Sequence, residues 1–378
     1  MPQPPTATIP GVNASPAEVE RLRSILSEAV ARNATDIHIR AGDVVYVRVD
    51  GELVSLGPTV LTALSTYEMT MHILATSPTA PDVDVVHDYS GPWSAPGIGR
   101  FRLSLLKQRS SFMIVMRVIP DVLPTFESLG LPSSLTSISL SEFGLILVAG
   151  TTGSGRSSTV AAFINQLNTK SARRRHIVSV DSAIRYLHRN NVCAVTQREV
   201  GIDTDSYLTG VKAALEQDAD VIVIGDLSSP ELVEIAVRAA EQGRLVIAKI
   251  RALDTTSAVR SLLANFPVDL QDSARLQLSE LLRGVVAQRL LPRADSRGRV
   301  AAAEVLLMTP LVRDVMTDAG RLGELRHTIS EGRAQYGTQT FDQHLADRVI
   351  AGQVSFEVAV TLATNSLDFE LQLRGLRR

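Results

Sequence analysis

The sequence predicts an α/β protein of two domains, a small α+β domain followed by a larger domain built on a mainly parallel sheet. Its 378 residues are enough for about two domains of ordinary size. Hydrophobic residues make up 45% of the chain and charged residues 21%, so each domain can bury a core. After residue 132, short apolar runs alternate with segments of helical periodicity. This alternation is typical of parallel strands joined by crossover helices.

Composition and charge exclude several classes of protein. The formal net charge of -2 gives no bulk attraction to nucleic acid, and no apolar run approaches the ~20 residues that span a bilayer. The N-terminus lacks a basic segment followed by an apolar one, so we expect no secretion signal. Its prolines predict a disordered leader over residues 1–14. The single cysteine, Cys193, forms no internal disulfide. We therefore expect a soluble cytoplasmic protein.

Residues 15–120 are predicted to form the small α+β domain. Ser15-Pro16-Ala17-Glu18 is typical of a helix start, and apolar residues at helical spacing follow it. The glycine- and proline-rich segment around Trp93 is predicted to be a loop. The other predicted elements are strands at Asp36–Arg40, Val44–Leu56 with a hairpin turn at Asp50-Gly51, Arg100–Lys107 and Ser111–Ile119, and a helix near Leu64–Leu74.

A linker is predicted at residues 121–132, which contain two prolines, and the larger domain at residues 133–378. From about Ser257 onward the chain is predicted to be largely helical, apart from β-like stretches at Gly284–Leu291 and Val300–Leu307. The strands predicted before that point are Gly144–Ala149, His176–Val180, Val221–Gly225 and Leu245–Ile250, and the helices are Ser157–Leu167, Ser206–Gln217 and Pro230–Gln242.

The sharpest motif is GLILVAGTTGSGRSST, residues 144–159. Its glycines and Ser157 have the spacing of a Walker A phosphate loop, between an apolar strand and a helix, which predicts a P-loop NTPase. Glycines let backbone amides wrap phosphates, the helix N-terminus adds a favourable dipole, and the Ser157 hydroxyl would bind Mg²⁺. The lysine position is Arg156, a planar fork that does not replace a compact ammonium. Alternatively, a glycine- and serine-rich turn simply joins a strand to a helix. The residues predicted to contact ATP are Gly150, Thr151, Thr152, Gly153, Ser154, Gly155, Arg156, Ser157 and Ser158.

Further motifs follow one another along the chain. They include TDIHIRAG (Thr35–Gly42), TQREVGIDTDSY (Thr196–Tyr207), DADVIVIGDL (Asp218–Leu227) and GTQTFDQHL (Gly337–Leu345). In their order and spacing the chain resembles the PilT-like type IV pilus retraction ATPases of the type II/type IV secretion ATPase family. The resemblance implies a PAS-like N-terminal domain and a RecA-like ATPase domain with a helical C-terminal region. It also implies hexameric rings that use ATP and Mg²⁺ at the inner face of the cytoplasmic membrane, beside an inner-membrane platform protein of the pilus.

The resemblance also assigns roles to individual residues. Asp181 stands where the family has a catalytic glutamate, and Asp226 stands at the Walker B glutamate that would help to hold Mg²⁺. In the N-terminal domain, four arginines match positions that lean towards the nucleotide, although they could equally be solvated strand residues. These four are Arg100, Arg102, Arg109 and Arg117.

The departures from the family pattern concentrate on the chemistry of hydrolysis. The family's acidic box corresponds here to VDSAIR (Val180–Arg185), where Ser182, Ala183 and Arg185 replace an acid, a proline and an acid. Arg244 and Arg251 stand where the family has histidines. Hydrolysis needs an oriented water and neutralised phosphate charge, and misplacement by ~1 Å can cost about a hundredfold in rate. Arg156 alone could be lysine-to-arginine drift, since the chain is poor in lysine.

Three hypotheses about function follow from these departures. The chain is a weakly active or inactive ring subunit, alone or in a mixed ring with an active paralogue, that assists pilus retraction. Alternatively, it is a working ATP-hydrolysing retraction motor, or a related type II secretion ATPase. The absence of a cysteine cluster favours the retraction branch.

Overall fold

The computed structural model describes residues 14–77, 81, 83, 85–295 and 298–376, and it divides the chain into two compact units at Asp121/Val122. The predicted disordered leader lies outside the described residues, except for residue 14. Within those residues, no helix combines the length and the apolar character that crossing a bilayer requires. Each unit has its own sheet, and the fold is α/β with one antiparallel and one mixed sheet.

The first unit is a six-stranded antiparallel sheet in the order β3-β2-β1-β6-β5-β4, with two helices. One helix begins after Ser15, whose hydroxyl accepts from the Glu18 amide, and it buries residues at helical spacing such as Leu22 and Leu26. The elements are α1 (Pro16–Ala31), β1 (Asp36–Arg40), β2 (Val44–Val49), β3 (Glu52–Val60), α2 (Ala63–Ala75), β4 (Asp88–Ala95), β5 (Gly99–Gln108) and β6 (Ser111–Ile119).

The segment around Trp93 is strand β4, so the loop predicted there is wrong. Gly91, Trp93 and Ala95 point alternately into the core, and the Trp93 indole N–H donates to Thr76 Oγ1 at 3.0 Å. β4 lies at the edge of the sheet, where Pro92 is tolerated because fewer backbone bonds are needed.

The second unit is built on a seven-stranded sheet in the order β13-β12-β7-β11-β10-β8-β9. Its neighbouring strands are parallel, except that β12 and β13 pair antiparallel. Short 3₁₀ turns occupy Val268–Leu270 and Ala319–Glu324. The other elements are α3 (Leu135–Ser139), β7 (Gly144–Ala149), α4 (Arg156–Lys170), β8 (His176–Asp181), β9 (Ala194–Glu199), α5 (Tyr207–Glu216), β10 (Val221–Ile224), α6 (Pro230–Glu241), β11 (Leu245–Ile250), α7 (Thr255–Leu263), α8 (Gln271–Leu281), β12 (Leu282–Pro292), β13 (Arg299–Leu307), α9 (Pro310–Thr317), α10 (Leu325–Glu331), α11 (Arg333–Tyr336), α12 (Phe341–Ile350), α13 (Phe356–Leu362) and α14 (Ser366–Leu376).

The central strands of this sheet are buried on both faces. Alternate residues of β7 enter two different hydrophobic clusters, as expected when helices cover each side of a parallel sheet. One cluster contains α4, Cys193 and also Phe126 and Leu131, from the segment for which a linker was predicted. The Phe126 and Phe163 rings meet edge to face with centroids 4.8 Å apart. Residues 126 and 131 are therefore part of the core of the second unit.

The parallel strands place the candidate site at one edge of this sheet. β7, β8, β10 and β11 all end at that edge, and the residues that follow each strand are brought together there. In parallel α/β sheets, ligands bind in the crevice outside the carboxyl ends of the strands.

Candidate functional site

The predicted phosphate loop connects β7 to α4. Gly150, Gly153 and Gly155 have φ angles of 151°, 82° and 94°, which favour glycine. A Cβ atom at Gly150 would lie 2.2 Å from Ser154 Oγ and 2.8 Å from the Gln288 carbonyl oxygen of β12. The loop therefore depends on glycine for its backbone conformation and, at Gly150, for close packing against β12.

The start of α4 presents hydrogen-bond donors that the chain itself does not use. Gly155 precedes the helix and provides no side-chain cap, and within the described residues the amides of Gly155, Arg156 and Ser157 donate no hydrogen bond. Ser154 is only 4% exposed, yet its hydroxyl has no partner in that same part of the chain. Unpaired amides at a helix N-terminus, next to a buried hydroxyl, suit an anion such as a phosphate.

Arg156 does not direct its guanidinium along the loop. Its Nη1 donates to the carbonyl oxygen of Ile250, the last residue of β11, at 3.0 Å. Burial lowers the pKa of Arg156, as do Arg251 and Arg185, while Asp226 and Asp181 oppose this shift. A side chain that bonds to a backbone carbonyl of the neighbouring strand is poorly placed to act as the loop lysine.

Lys249 of β11, a residue that the motif analysis missed, lies beside the loop. It is 6% exposed, and its Nζ lies 2.7 Å from Asp181 Oδ2 and 3.3 Å from Ser157 Oγ. The sequence does contain a signal for it, because a lysine interrupts the buried strand LVIAKI in a chain that is poor in lysine. A buried lysine is rare unless paired.

Both predicted catalytic acids lie at the carboxyl edge of the sheet. Asp181 is the last residue of β8, and Gly225 leaves room for it, since a Cβ there would lie 2.8 Å from the Asp181 carboxyl carbon. Asp226 follows β10, and its Oδ2 accepts from Arg251 Nη2 at 3.3 Å. The Arg251 side chain is 72% exposed, so this second ion pair adds little to stability.

The residues that follow Asp181 are fixed by hydrogen bonds rather than left as an open loop. The Ser182 amide donates to the Tyr207 hydroxyl at 3.0 Å, and the Ile184 amide donates to Glu199 Oε2 at 3.0 Å. Burial raises the pKa of Tyr207. By contrast, Arg244 precedes β11, pairs with Asp218 at 2.8 Å and lies at the opposite edge of the sheet from the loop.

The four arginines of the small domain all lie in the first unit. Arg100 and Arg102 are half-buried on β5, and Arg102 is the register partner of Arg117 on β6. Arg117 is exposed and pairs with Asp36 Oδ1 at 2.8 Å. Arg109 is exposed in the turn between these strands, with φ of 49°. Their predicted approach to a nucleotide stays a prediction.

The donors predicted for Mg²⁺ do not fit that ion in this arrangement. Of the two predicted donors, Ser157 Oγ accepts from the Lys249 ammonium and Asp226 is paired with Arg251. The same ammonium also holds Asp181, which was predicted as a catalytic acid. Within the described ranges, no cluster of three or more His, Cys, Asp or Glu side chains could hold a metal. A divalent ion at Ser157 and Asp181 would compete with the ammonium for the same oxygens.

Comparisons with known proteins agree on one family. The family model described as Type II/IV secretion system protein matches residues 13–340. Type IV pilus ATPase PilU of Pseudomonas aeruginosa is 36% identical over 357 residues, covering 94% of this chain and 91% of the relative. Type IV pilus retractation ATPase PilT of the same organism is 30% identical over 338 residues, covering 89% and 96%. The crystal structure of the pilus retraction motor PilT with bound ADP superposes with a TM-score of 0.79 at 31% identity, covering 92% of this chain and 98% of that chain. The chain therefore belongs to the type II/IV secretion system protein family.

Proposed function

We propose that this chain is a nucleotide-binding, weakly active or inactive ring subunit that assists the retraction of type IV pili. Nucleotide binding is supported by the glycine geometry and unpaired amides of residues 150–157, and by similarity to PilT, which was crystallised with ADP. The pilus assignment is supported by relatives named as type IV pilus ATPases.

The observation that carries the weak or absent activity is the pairing of the groups that hydrolysis would need. Asp181 is paired with Lys249, Asp226 with Arg251, and Arg156 donates to the Ile250 carbonyl. A carboxylate held by a buried ammonium is not free to contact an attacking water or a metal ion until that ion pair opens. Turnover therefore requires the buried Asp181–Lys249 pair to open, whereas the exposed Asp226–Arg251 pair is the weaker obstacle.

The larger assembly in this proposal is the one that the resemblance to the family implies. In this proposal the first unit is the PAS-like domain, the second is the RecA-like domain, and six copies form a ring or share one with an active paralogue. The ring works in the cytoplasm, at the inner face of the membrane and beside a platform protein of the pilus. Arg100, Arg102, Arg109 and Arg117 are proposed to approach the nucleotide within it.

An active retraction motor is the second candidate. It is favoured by the presence of two carboxylates, Asp181 and Asp226, at the sheet edge where the loop lies. If ring closure or pilus contact moved Lys249 and Arg251 away, these acids would become available for chemistry.

Phosphate release from ATP in the presence of Mg²⁺ separates the two candidates. We expect the purified chain to bind ATP but to release phosphate well below the ~1 s⁻¹ of slow ordinary enzymes. Arg156→Lys restores the loop lysine, yet we expect no ordinary turnover from it because both acids stay paired.

Ser157→Ala is the control for this assay. Turnover above ~1 s⁻¹ that disappears in Ser157→Ala would establish the motor and defeat the weakly active subunit. A folded chain that binds no ATP under any condition would instead defeat nucleotide binding itself.

A further inference from the structure

The strongest unexplained feature of the second unit is the ammonium group of Lys249. It lies on a central strand whose other residues are all apolar, and it is 6% exposed. Burying an ammonium is costly unless its donors are satisfied, so this residue is held by its partners rather than by its strand. Those partners are Asp181 at the end of β8 and Ser157 in the first turn of α4.

The ammonium lies beside the loop, in a position that suits a cation contacting a bound phosphate. Ser157 follows Arg156 at the start of α4, where amides of the loop are unpaired. An ammonium has three N–H donors, and only two are needed for Asp181 Oδ2 and Ser157 Oγ. The third N–H donor has no partner in the part of the chain that the structure describes, so it can serve an anion bound on the loop.

Arg156 and Lys249 each donate a hydrogen bond to the element on which the other lies. The residue at the lysine position of the loop, Arg156, donates across to β11 at the Ile250 carbonyl, 3.0 Å away. The residue just before Ile250 in β11 is Lys249, which donates back across to the loop helix at Ser157. Two basic side chains thus cross between adjacent elements, and the one that returns to the loop is the compact ammonium suited to phosphate.

We propose that Lys249 is a built-in cation of the nucleotide site, which donates from β11 to the phosphates in place of the missing loop lysine and holds the oxygens that a divalent ion would use. This inference rests on the proposed binding of a nucleoside di- or triphosphate to residues 150–158. Its consequence is that the chain binds nucleotide without Mg²⁺, because the ammonium already occupies the oxygens of Ser157 and Asp181.

Calorimetric titration of the full chain with ATP, once in EDTA and once in Mg²⁺, tests this inference. We expect similar dissociation constants for the wild-type chain in the two buffers. Lys249→Met removes a charge-assisted contact, so its affinity in EDTA should fall by about ten- to a hundredfold. Because Ser157 and Asp181 then become available to a divalent ion, Mg²⁺ should restore much of the loss.

Two further variants separate the ammonium from general damage. Lys249→Met combined with Asp181→Asn leaves no unpaired buried carboxylate, and it should lose affinity in EDTA without regaining it in Mg²⁺. Lys212→Met, on the exposed face of α5, removes one positive charge from the same unit and should behave like the wild-type chain in both buffers.

The outcomes distinguish this inference from the proposed function. Wild-type binding that requires Mg²⁺ overturns the role of Lys249 but leaves nucleotide binding intact. Equal EDTA affinities of the wild-type chain, Lys249→Met and the double variant also overturn it. A wild-type chain that is folded and binds ATP in neither buffer overturns the proposed function, and the inference with it.

Discussion

The buried side chain of Lys249 joins two motifs that the sequence presents separately. Asp181 belongs to the altered acidic box and Ser157 to the phosphate loop, 24 positions earlier in the numbering. Both bond to one ammonium from a third element, strand β11. Pairs of this kind arise from the order of strands in the sheet rather than from spacing along the chain. Residue types alone therefore identify the parts of this site but not how they neutralise each other.

A buried histidine makes the stability of the second unit depend on pH. His344 accepts a hydrogen bond from the Ala303 amide at Nδ1, 2.9 Å away, and burial, helped by the nearby Arg348, lowers the pKa of His344 to about 3. His188 is also buried, and its pKa falls to about 4. Both rings stay neutral in the folded chain while the unfolded chain takes up protons below about pH 6.5.

We expect the full contribution of both histidines to stability above about pH 6.5. This contribution should fall steadily below that pH, down to about pH 4 for His188 and about pH 3 for His344, by up to about 1.4 kcal/mol per pH unit for each. His344→Gln should flatten this dependence, measured as the urea midpoint between pH 7.5 and 5. His327, on the surface of α10, is the matched control for removing a histidine from the same unit, and His327→Gln should flatten the slope less than His344→Gln does. An unchanged slope in His344→Gln would contradict the assignment.

At the scale of single elements, the loop between β7 and α4 gives the most direct test of backbone geometry. Gly150 and Gly153 both have positive φ, but a Cβ at Gly150 would meet Ser154 Oγ and the Gln288 carbonyl, while one at Gly153 would meet nothing within 4 Å. Gly153→Ala should cost about 1 kcal/mol from the backbone conformation alone.

Gly150→Ala should cost about 3 kcal/mol, because the new methyl group also displaces the loop from β12. Urea unfolding followed by circular dichroism measures both free energies in parallel. Equal costs for the two substitutions would mean that the loop does not pack against β12 in the way described.

The elements that the sequence predicts well are those whose own residues determine them. The apolar runs Gly144–Ala149 and Leu245–Ile250 are strands with the predicted bounds, since burial on both faces leaves a continuous hydrophobic signal. Strands β4 and β9 were missed because each lies at a sheet edge and contains polar residues, with Gly91 and Pro92 in β4. Their pairing partners, not their own propensities, make them strands.

The candidate site likewise has features that the sequence predicts and features that only the folded structure reveals. The glycines, the helix start and the order of motifs predict the loop at residues 150–157, because all of these signals can be read along the sequence itself. The engagement of Arg156 with Ile250 and of Asp181 with Lys249 spans 94 and 68 positions, so only the sheet order brings these residues together.

At the scale of the whole molecule, the proposed ring leads to a prediction about mass. We expect the purified chain, alone or with its active paralogue, to form particles near six times the 40.8 kDa of one chain. Native mass spectrometry or analytical ultracentrifugation, with ATP in EDTA and without nucleotide, measures this directly. A chain that stays monomeric at micromolar concentration in both conditions, and does not join the paralogue, would contradict the proposed ring.

The single cysteine has a practical consequence for such experiments. Cys193 is fully buried in the second unit, where its amide donates to Asn168 Oδ1 at 3.1 Å. A maleimide dye therefore reaches this thiol only when the surrounding core opens, so the labelling rate of Cys193 measures how readily that core opens. Conversely, a cysteine introduced on the surface would be the single fast-reacting site, so a fluorophore for distance measurements can be attached there without removing Cys193.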